Sequence, residues 1–279
     1  MGGCGTRRIE LDTGPTLTLT ELVRKVNENN QALPTLFARH SIQADVYDPQ
    51  RKKLRFISAD GDLYVRKPHE MLIRGDKDIA GRIFEMGTDT ERYWFTVYQN
   101  EDTEWWGWNR NAGKPCAREM PIQPELVGEV LGIGNINANL LQPPVPTLRF
   151  NPELRVYMLV WSAPLADRWY AQKEVWYDRR TLLPLKVLLF DQNGRIVLVA
   201  NLTQHQPVKI PDVPEDKRPK IASHYDLFFP ENKSRMIIQL SDMALTSKAG
   251  QPKEGVIRFR EDPKIRPERV IQIDKDCEK

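Results

Sequence analysis

The chain has 279 residues, enough to bury one large core or two modest ones. Its 40% apolar and 28% charged composition excludes disorder, and a net charge of +3 with well-mixed signs is too weak a field to specify nucleic acid or a membrane surface. No apolar stretch approaches the ~20 residues needed to span a bilayer.

The chain opens Met1-Gly2-Gly3-Cys4-Gly5-Thr6, without the apolar core of a signal peptide. A small residue before Cys4 fits the cut site of a bacterial lipoprotein signal, so Cys4 is expected to carry lipid; the alternative is a free cysteine in a flexible tail. Residues 1–17 are polar, hold Gly14-Pro15 and show no apolar period, which suits a mobile tether for such an anchor. Residues 18–33 predict a helix. Thr18 and Glu21 form a capping-box pattern, Leu19, Leu22, Val23 and Val26 recur at helical spacing, and Pro34 stops the run.

From about residue 38 the period is two. His40, Ile42, Ala44 and Val46 alternate with Ser41, Gln43, Asp45 and Tyr47, and Leu54 and Phe56 follow. Asp60-Gly61 reads as a turn, then Leu63 and Val65 alternate with Tyr64 and Arg66 until Pro68. Further strands are expected at 71–74, 82–86, 93–98 and 104–108, punctuated by Gly75-Asp76, Gly87-Thr88-Asp89 and Asn100-Glu101-Asp102. Pro124 opens a second short helix with Leu126, Val127, Val130 and Leu131 on one face, ended by Gly132 and Gly134. A long loop covers 135–147. Strands resume at 154–161, where Leu154, Val156, Met158 and Val160 oppose Tyr157, Leu159 and Trp161. Others follow at 173–178, 185–190 and 195–202, with Asp191-Gln192-Asn193-Gly194 as a hairpin turn. A Pro-rich surface loop at 207–219 precedes strands at 223–229 and 235–240, with 255–260 as a further candidate. The charged residues 261–279 read as a frayed tail.

These elements predict a mainly β (α+β) protein: residues 18–260 as a single curved antiparallel sheet, an open half-barrel with a few short helices as lid. Segments 185–190 and 195–202 are apolar on both sides, so both faces must be covered. Two helices are too little to cover a wide sheet tightly. Curvature would wrap them inside the concave face and leave an apolar ligand cavity. Leu22, Val26, Leu126 and Val130 of the helices, with Trp94, Trp106 and Trp161 of the sheet, are the expected lining. For any single tryptophan the plainer reading is an ordinary core or rim residue. Trp105 and Trp106 are adjacent in one strand and must face opposite ways.

Nothing points to catalysis, and the chain is read as no enzyme. His40, His69, His205 and His224 are not at metal-ligand spacing, and no GxSxG, HExxH, P-loop or GxGxxG is present, so neither metal nor cofactor is expected. Thr88-Asp89-Thr90-Glu91 reads as a solvated hairpin tip. Cys116 and Cys277 are left either to pair across a very long loop, as an exported protein permits, or to stay apart.

Gly61-Asp62-Leu63-Tyr64-Val65-Arg66-Lys67-Pro68 followed by Met71-Leu72-Ile73-Arg74 resembles the LolA/LolB-type outer-membrane lipoprotein localisation proteins. Gly87-Thr88-Asp89-Thr90-Glu91-Arg92-Tyr93-Trp94-Phe95 looks like the hairpin that follows. Trp176-Tyr177-Asp178, Leu183-Pro184-Leu185 and Phe190-Asp191-Gln192-Asn193-Gly194 look like the later strand pairs. The motifs are short and cover about residues 18–245. The resemblance implies an open barrel with a helical lid that binds acyl chains of lipids or lipoproteins in the bacterial envelope, facing the periplasm. The family's carrier is soluble and its receptor is a lipoprotein, so a lipidated Cys4 fits the receptor type and the outer membrane. The chain departs from the pattern in its length, its 207–219 insertion and its charged tail. An envelope-stress sensor of the same fold, or a structural or carbohydrate-binding envelope module, are the alternatives.

Overall fold

A computed structural model describes residues 11–48, 53–77, 81–98, 102–112, 114, 116–117, 124–231, 233–246 and 267–278. Helix α1 (Leu19–Gln31) starts on the expected capping box: Glu21 N donates to Thr18 Oγ1 at 3.3 Å, and Thr18 N donates to Glu21 Oε2 at 2.8 Å. Its stripe Leu22, Val23 and Val26 is buried.

Six antiparallel strands follow: β1 (Thr35–Asp48), β2 (Lys53–Arg66), β3 (Glu70–Lys77), β4 (Gly81–Thr88), β5 (Arg92–Val97) and β6 (Thr103–Trp108). After α2 (Pro124–Val130) come β7 (Val145–Asn151), β8 (Val156–Leu165), β9 (Arg168–Asp178), β10 (Pro184–Phe190) and β11 (Ile196–Thr203). The Pro-rich loop folds back on itself through the short pair β12 (Gln206–Pro207) and β13 (Lys220–Ile221). The chain continues with β14 (His224–Phe229), β15 (Ser234–Ala244) and β16 (Arg269–Gln272).

Among the described residues fourteen strands make one curved open sheet in the order β16-β6-β5-β4-β3-β2-β1-β15-β14-β11-β10-β9-β8-β7, not closed into a barrel. The antiparallel pairing of β1 with β15, Ile42 opposite Ile238, fuses the two meanders into one layer. The register aligns the inward side chains into rows. Ala38, Leu63, Ile73, Met86, Phe95 and Trp105 run across one arm. Met236, Leu227, Ala200, Val187, Val175, Leu159 and Leu148 run across the other. Above the second row lie Leu198, Leu189, Lys173, Trp161 and Pro146.

Several local expectations need correction. Asp60-Gly61 is no turn but the interior of β2. A Cβ on Gly61 would sit 1.8 Å from the Arg74 carbonyl oxygen, so the glycine is there for close backbone approach. Gly75-Asp76 is likewise no turn but a register shift in the β3–β4 ladder. Strand β7 was not foreseen, and Leu154 lies outside the strands, half-exposed in the β7–β8 connection. Among the described residues no α-helix covers the outer face, although Leu72 and Trp94 on that side are buried. Both described helices bury their side chains in the inner cluster, while Leu188 and Val199 pair across strands on the outside and stay half-buried. The candidate strand at 255–260 lies outside the described residues.

The charged C-terminus does not fray where it is described. Strand β16 pairs parallel with β6, Ile273 N donates to Trp106 O at 2.9 Å, and Cys277 is bonded to Cys116 across 161 residues. Fully buried Asp274 fixes this corner: Oδ2 accepts from Trp108 N at 2.8 Å and Asn111 Nδ2 at 2.9 Å, and Oδ1 from Gln272 Nε2 at 3.1 Å. Residues 12–17 are no free tether either. Asp12 N donates to Pro152 O at 3.2 Å, Arg179 pairs with Asp12, and Leu17 N donates to Tyr157 Oη at 2.9 Å.

Gly61→Ala forces its methyl into the Arg74 carbonyl, and the chain should lose roughly 1–3 kcal/mol, as overpacked cores do. Urea denaturation checks this; an unchanged midpoint would show that the two strands separate at no cost.

Candidate functional site

The two helices lie against the concave face and draw the arms of the sheet together. α2 packs on β4 and β5, and a Cβ on Gly128 would lie 3.8 Å from Met71 Sδ of β3. Its Glu129 reaches Lys173 of β9 at 2.6 Å. Strands β3 and β9 are separated in the sheet by β2, β1, β15, β14, β11 and β10, so one short helix bridges surfaces that only curvature can bring face to face. Just beyond, a Cβ on Gly132 would stand 2.9 Å from Pro184 and 3.5 Å from Leu202.

Most of the predicted lining residues meet here. Leu22, Val26, Val130 and Trp161 belong to one buried cluster, and Leu126 packs against it half-buried. Trp94 and Trp106 do not belong. They share a separate cluster with Leu72 and Tyr64 on the other face of the sheet, Trp94 lying across Gly87. Alternation explains the error: Tyr93 and Phe95 take the inward positions of β5, which leaves Trp94 outside. In β6 the inward member is Trp105, stacked on Phe95 with centroids 5.9 Å apart, whereas Trp106 packs edge-on to Trp108 and under Arg92. Cys4 lies outside the described residues.

Sequence reasoning missed the polar fastenings of α1. Asn27 and Asn30 of α1 meet the backbone of the loop after α2, and Asn29 meets that of β13. Asn27 Nδ2 donates to Ile136 O and Ile136 N donates back to Asn27 Oδ1, both at 2.8 Å and both buried. Asn30 Nδ2 donates to Gly134 O at 2.7 Å. Asn29 exchanges a similar pair with Lys220, at 3.1 and 2.9 Å. A loop over an apolar face must satisfy its backbone groups, and an asparagine amide supplies donor and acceptor together. Lys67 Nζ donates to Asn30 O at the end of α1, and burial pulls this ammonium down to about 8.

His40 occupies an inward position of β1 between Ala38 and Ile42 of the core. Its Nε2 is 2.9 Å from the Arg74 carbonyl, an acceptor, so this nitrogen carries the hydrogen. Nδ1 is buried with no partner among the described residues. Burial pushes the imidazole below its ordinary pKa, opposed by the Arg74 carbonyl and by Asp62, Asp60 and Asp76. His205 is lowered for the same reason, with Nε2 on Pro184 O at 2.9 Å.

No family model matches the chain, and no curated protein matches it. Solved structures do. A DUF1329 family protein from Desulfovibrio piger is 12% identical, with a TM-score of 0.52 over 85% of this chain and 92% of that one. A Vibrio parahaemolyticus domain named for outer membrane lipoprotein sorting is 11% identical, with a TM-score of 0.51 over 80% and 90%. A LolA superfamily protein from Nitrosomonas europaea is 11% identical, with a TM-score of 0.48 over 88% and 99%. At these identities the first two likenesses establish the fold.

Asn27→Ala strands two buried backbone groups of Ile136 and should cost about 1–3 kcal/mol per unsatisfied group, read as a lower urea midpoint. A loss within error would mean that water replaces the amide. For the histidines, a depressed folded-state pKa means that the unfolded chain takes up protons first. Their contribution is complete above about pH 6.5 and is lost as pH falls toward the folded-state values. The melting temperature should drop between neutral pH and pH ~5.5, and His40→Gln should flatten that slope; equal slopes would exonerate His40.

Proposed function

We propose that the chain is an envelope lipoprotein that binds acyl chains of lipids or lipoproteins on its concave face, beneath α1 and α2. The observation that carries this reading is the pair of apolar rows across both arms of an open sheet, roofed by helices that bury apolar stripes there and, among the described residues, add few polar fastenings. The lipoprotein-sorting name of one fold relative is consistent with it. The Cys116–Cys277 bond supports an oxidising compartment, as the periplasm is. Lipidation of Cys4 would hold the protein at the membrane, in our reading the outer one.

Magnitudes favour a lid that yields to its ligand. Each fastening hydrogen bond stabilises the closed state by about 0.5–1.5 kcal/mol. Each buried methylene of an acyl chain returns about 0.8 kcal/mol. A chain of about ten methylenes offsets several such bonds. The ligand would take over the contacts that Leu22, Val26, Leu126 and Val130 give to the sheet, with Trp161 remaining as a wall of the site.

The test is saturable binding of a fluorescent fatty acid, with mass spectrometry of an organic extract of the Cys4→Ser protein, which separates bound from attached lipid. The wild type should bind and a lipopeptide should displace the probe. The double substitution Val26→Asp, Val130→Asp should weaken binding about a hundredfold or more, since a charge would face the chain, while circular dichroism retains the β signal. Binding undiminished by the double substitution removes the helices from the site. No lipid and no saturable binding in the wild type turns the reading toward a structural or sugar-binding module. The intact mass of the native product decides Cys4.

A further inference from the structure

Resting on the acyl-binding reading, we infer that Lys173, seated on Trp161 and held by Glu129, forms a head-group site that selects amphiphiles with an anionic head.

The concave rows traced above are apolar except at one point. Among their described residues Lys173 alone is charged, in line with Leu189 and Trp161. Its Nζ lies 4.9 Å from the centre of the Trp161 ring, and Trp161 is 7% exposed and part of the core. The ammonium therefore stands over the aromatic face, on the wall of the apolar region. It is 27% exposed, so it sits at the boundary between core and water. That is where the head of a bound amphiphile belongs when its chain lies inside.

The partner of Lys173 comes from the lid. Glu129 Oε2 is 2.6 Å from Nζ, on a carboxylate that is 53% exposed at the end of α2. Its charge also reaches inward, adding to the burial that raises the Tyr177 phenol. A carboxylate on the helix read as the lid, paired with the cation of an otherwise apolar row, has the chemistry of the head that would replace it. A carboxylate or phosphate head displaces Glu129 from Lys173 without leaving the ammonium unpaired. A neutral head leaves the pair intact, and a cationic head meets like charge. Displacing Glu129 also loosens α2, so head recognition and lid opening are one event.

The experiment titrates the full chain, at low ionic strength and below micellar concentrations, with amphiphiles of one chain length: dodecanoate, dodecanol and dodecyltrimethylammonium. Each is read by displacement of the fluorescent fatty acid. Dodecanoate should bind about three- to tenfold tighter than dodecanol, and the cation weakest. Lys173→Met should remove the dodecanoate-to-dodecanol ratio, and Lys173→Arg should keep it, which separates lost charge from lost fold. Glu129→Gln should raise the ratio, because loosening of the lid affects both ligands alike and cancels. Equal affinity for all three, or a ratio that survives Lys173→Met, overturns the head-group site and leaves acyl binding standing. Displacement by inorganic phosphate alone overturns it too, by showing an anion site indifferent to the chain. Binding of none of the three takes the acyl-binding reading down with it.

Discussion

Fourteen strands paired edge to edge, with β7 and β16 as the ends, leave the apolar rows of the concave side without the shelter that barrel closure provides. Something else must take those side chains out of water. Two helices do it, and the chain is arranged around getting them there. α1 precedes the first strand and α2 separates the two meanders, so each has a separate approach to the same face. The pairing of β1 with β15 then makes the curvature continuous, because it turns two modest sheets into one wide enough to fold around a helix. Without that seam α2 would have no second wall, and its reach from Met71 to Lys173 would be impossible.

Covering an apolar face with helices and loops brings backbone polar groups along, and the interior is organised by how these are satisfied. Asn27 and Asn30 serve the loop after α2, and Asn29 serves β13. His40 serves the Arg74 carbonyl that points over Gly61, next to the register shift in β3. Among the described residues these groups are few, and each except His40 Nδ1 has a partner, which lets the rest of the cluster stay apolar. The same arrangement makes the roof less firmly held than the walls. A strand is held along its whole length by its ladder, whereas α1 is held by its buried stripe Leu22, Val23 and Val26 with asparagine amides and Lys67 toward its end, and α2, among the described residues, by its apolar stripe and one half-exposed ion pair.

The edges are handled by covalent and ionic means. Buried Asp274, β16 and the Cys116–Cys277 bond finish the β6 side with residues from the far end of the chain. At the other side Asp12, Arg179 and Leu17 tie the N-terminal segment to the turns beside β7 and β8. Residues 12–17 and 269–277 are thus drawn against the sheet margin.

What the sequence determined by itself is local. The capping box of Thr18 and Glu21 acts within one turn, and alternation along a strand says that Leu159 and Trp161 oppose Met158 and Val160 whatever the fold. The Asp191–Gly194 turn is closed by its own side chain and needs no distant partner, since Asp191 Oδ1 accepts from Asn193 N and Arg195 N. Tertiary structure decided the rest. Asp60-Gly61 has the letters of a hairpin, but the Arg74 carbonyl from another strand makes it a crossing point. Alternation separates Trp94 from Tyr93 without saying which of them meets the helices, because the side of the sheet on which a helix lands is set by connections and pairings far along the chain. Strand β7 is a sheet end, and β16 is four residues long and paired with β6 from the far end of the chain, so neither carries a strong period of its own. Cys116 and Cys277 meet across 161 residues. Periodicity and capping are properties of neighbouring residues. Face, seam and partner are properties of contacts that exist only after the chain has closed on itself.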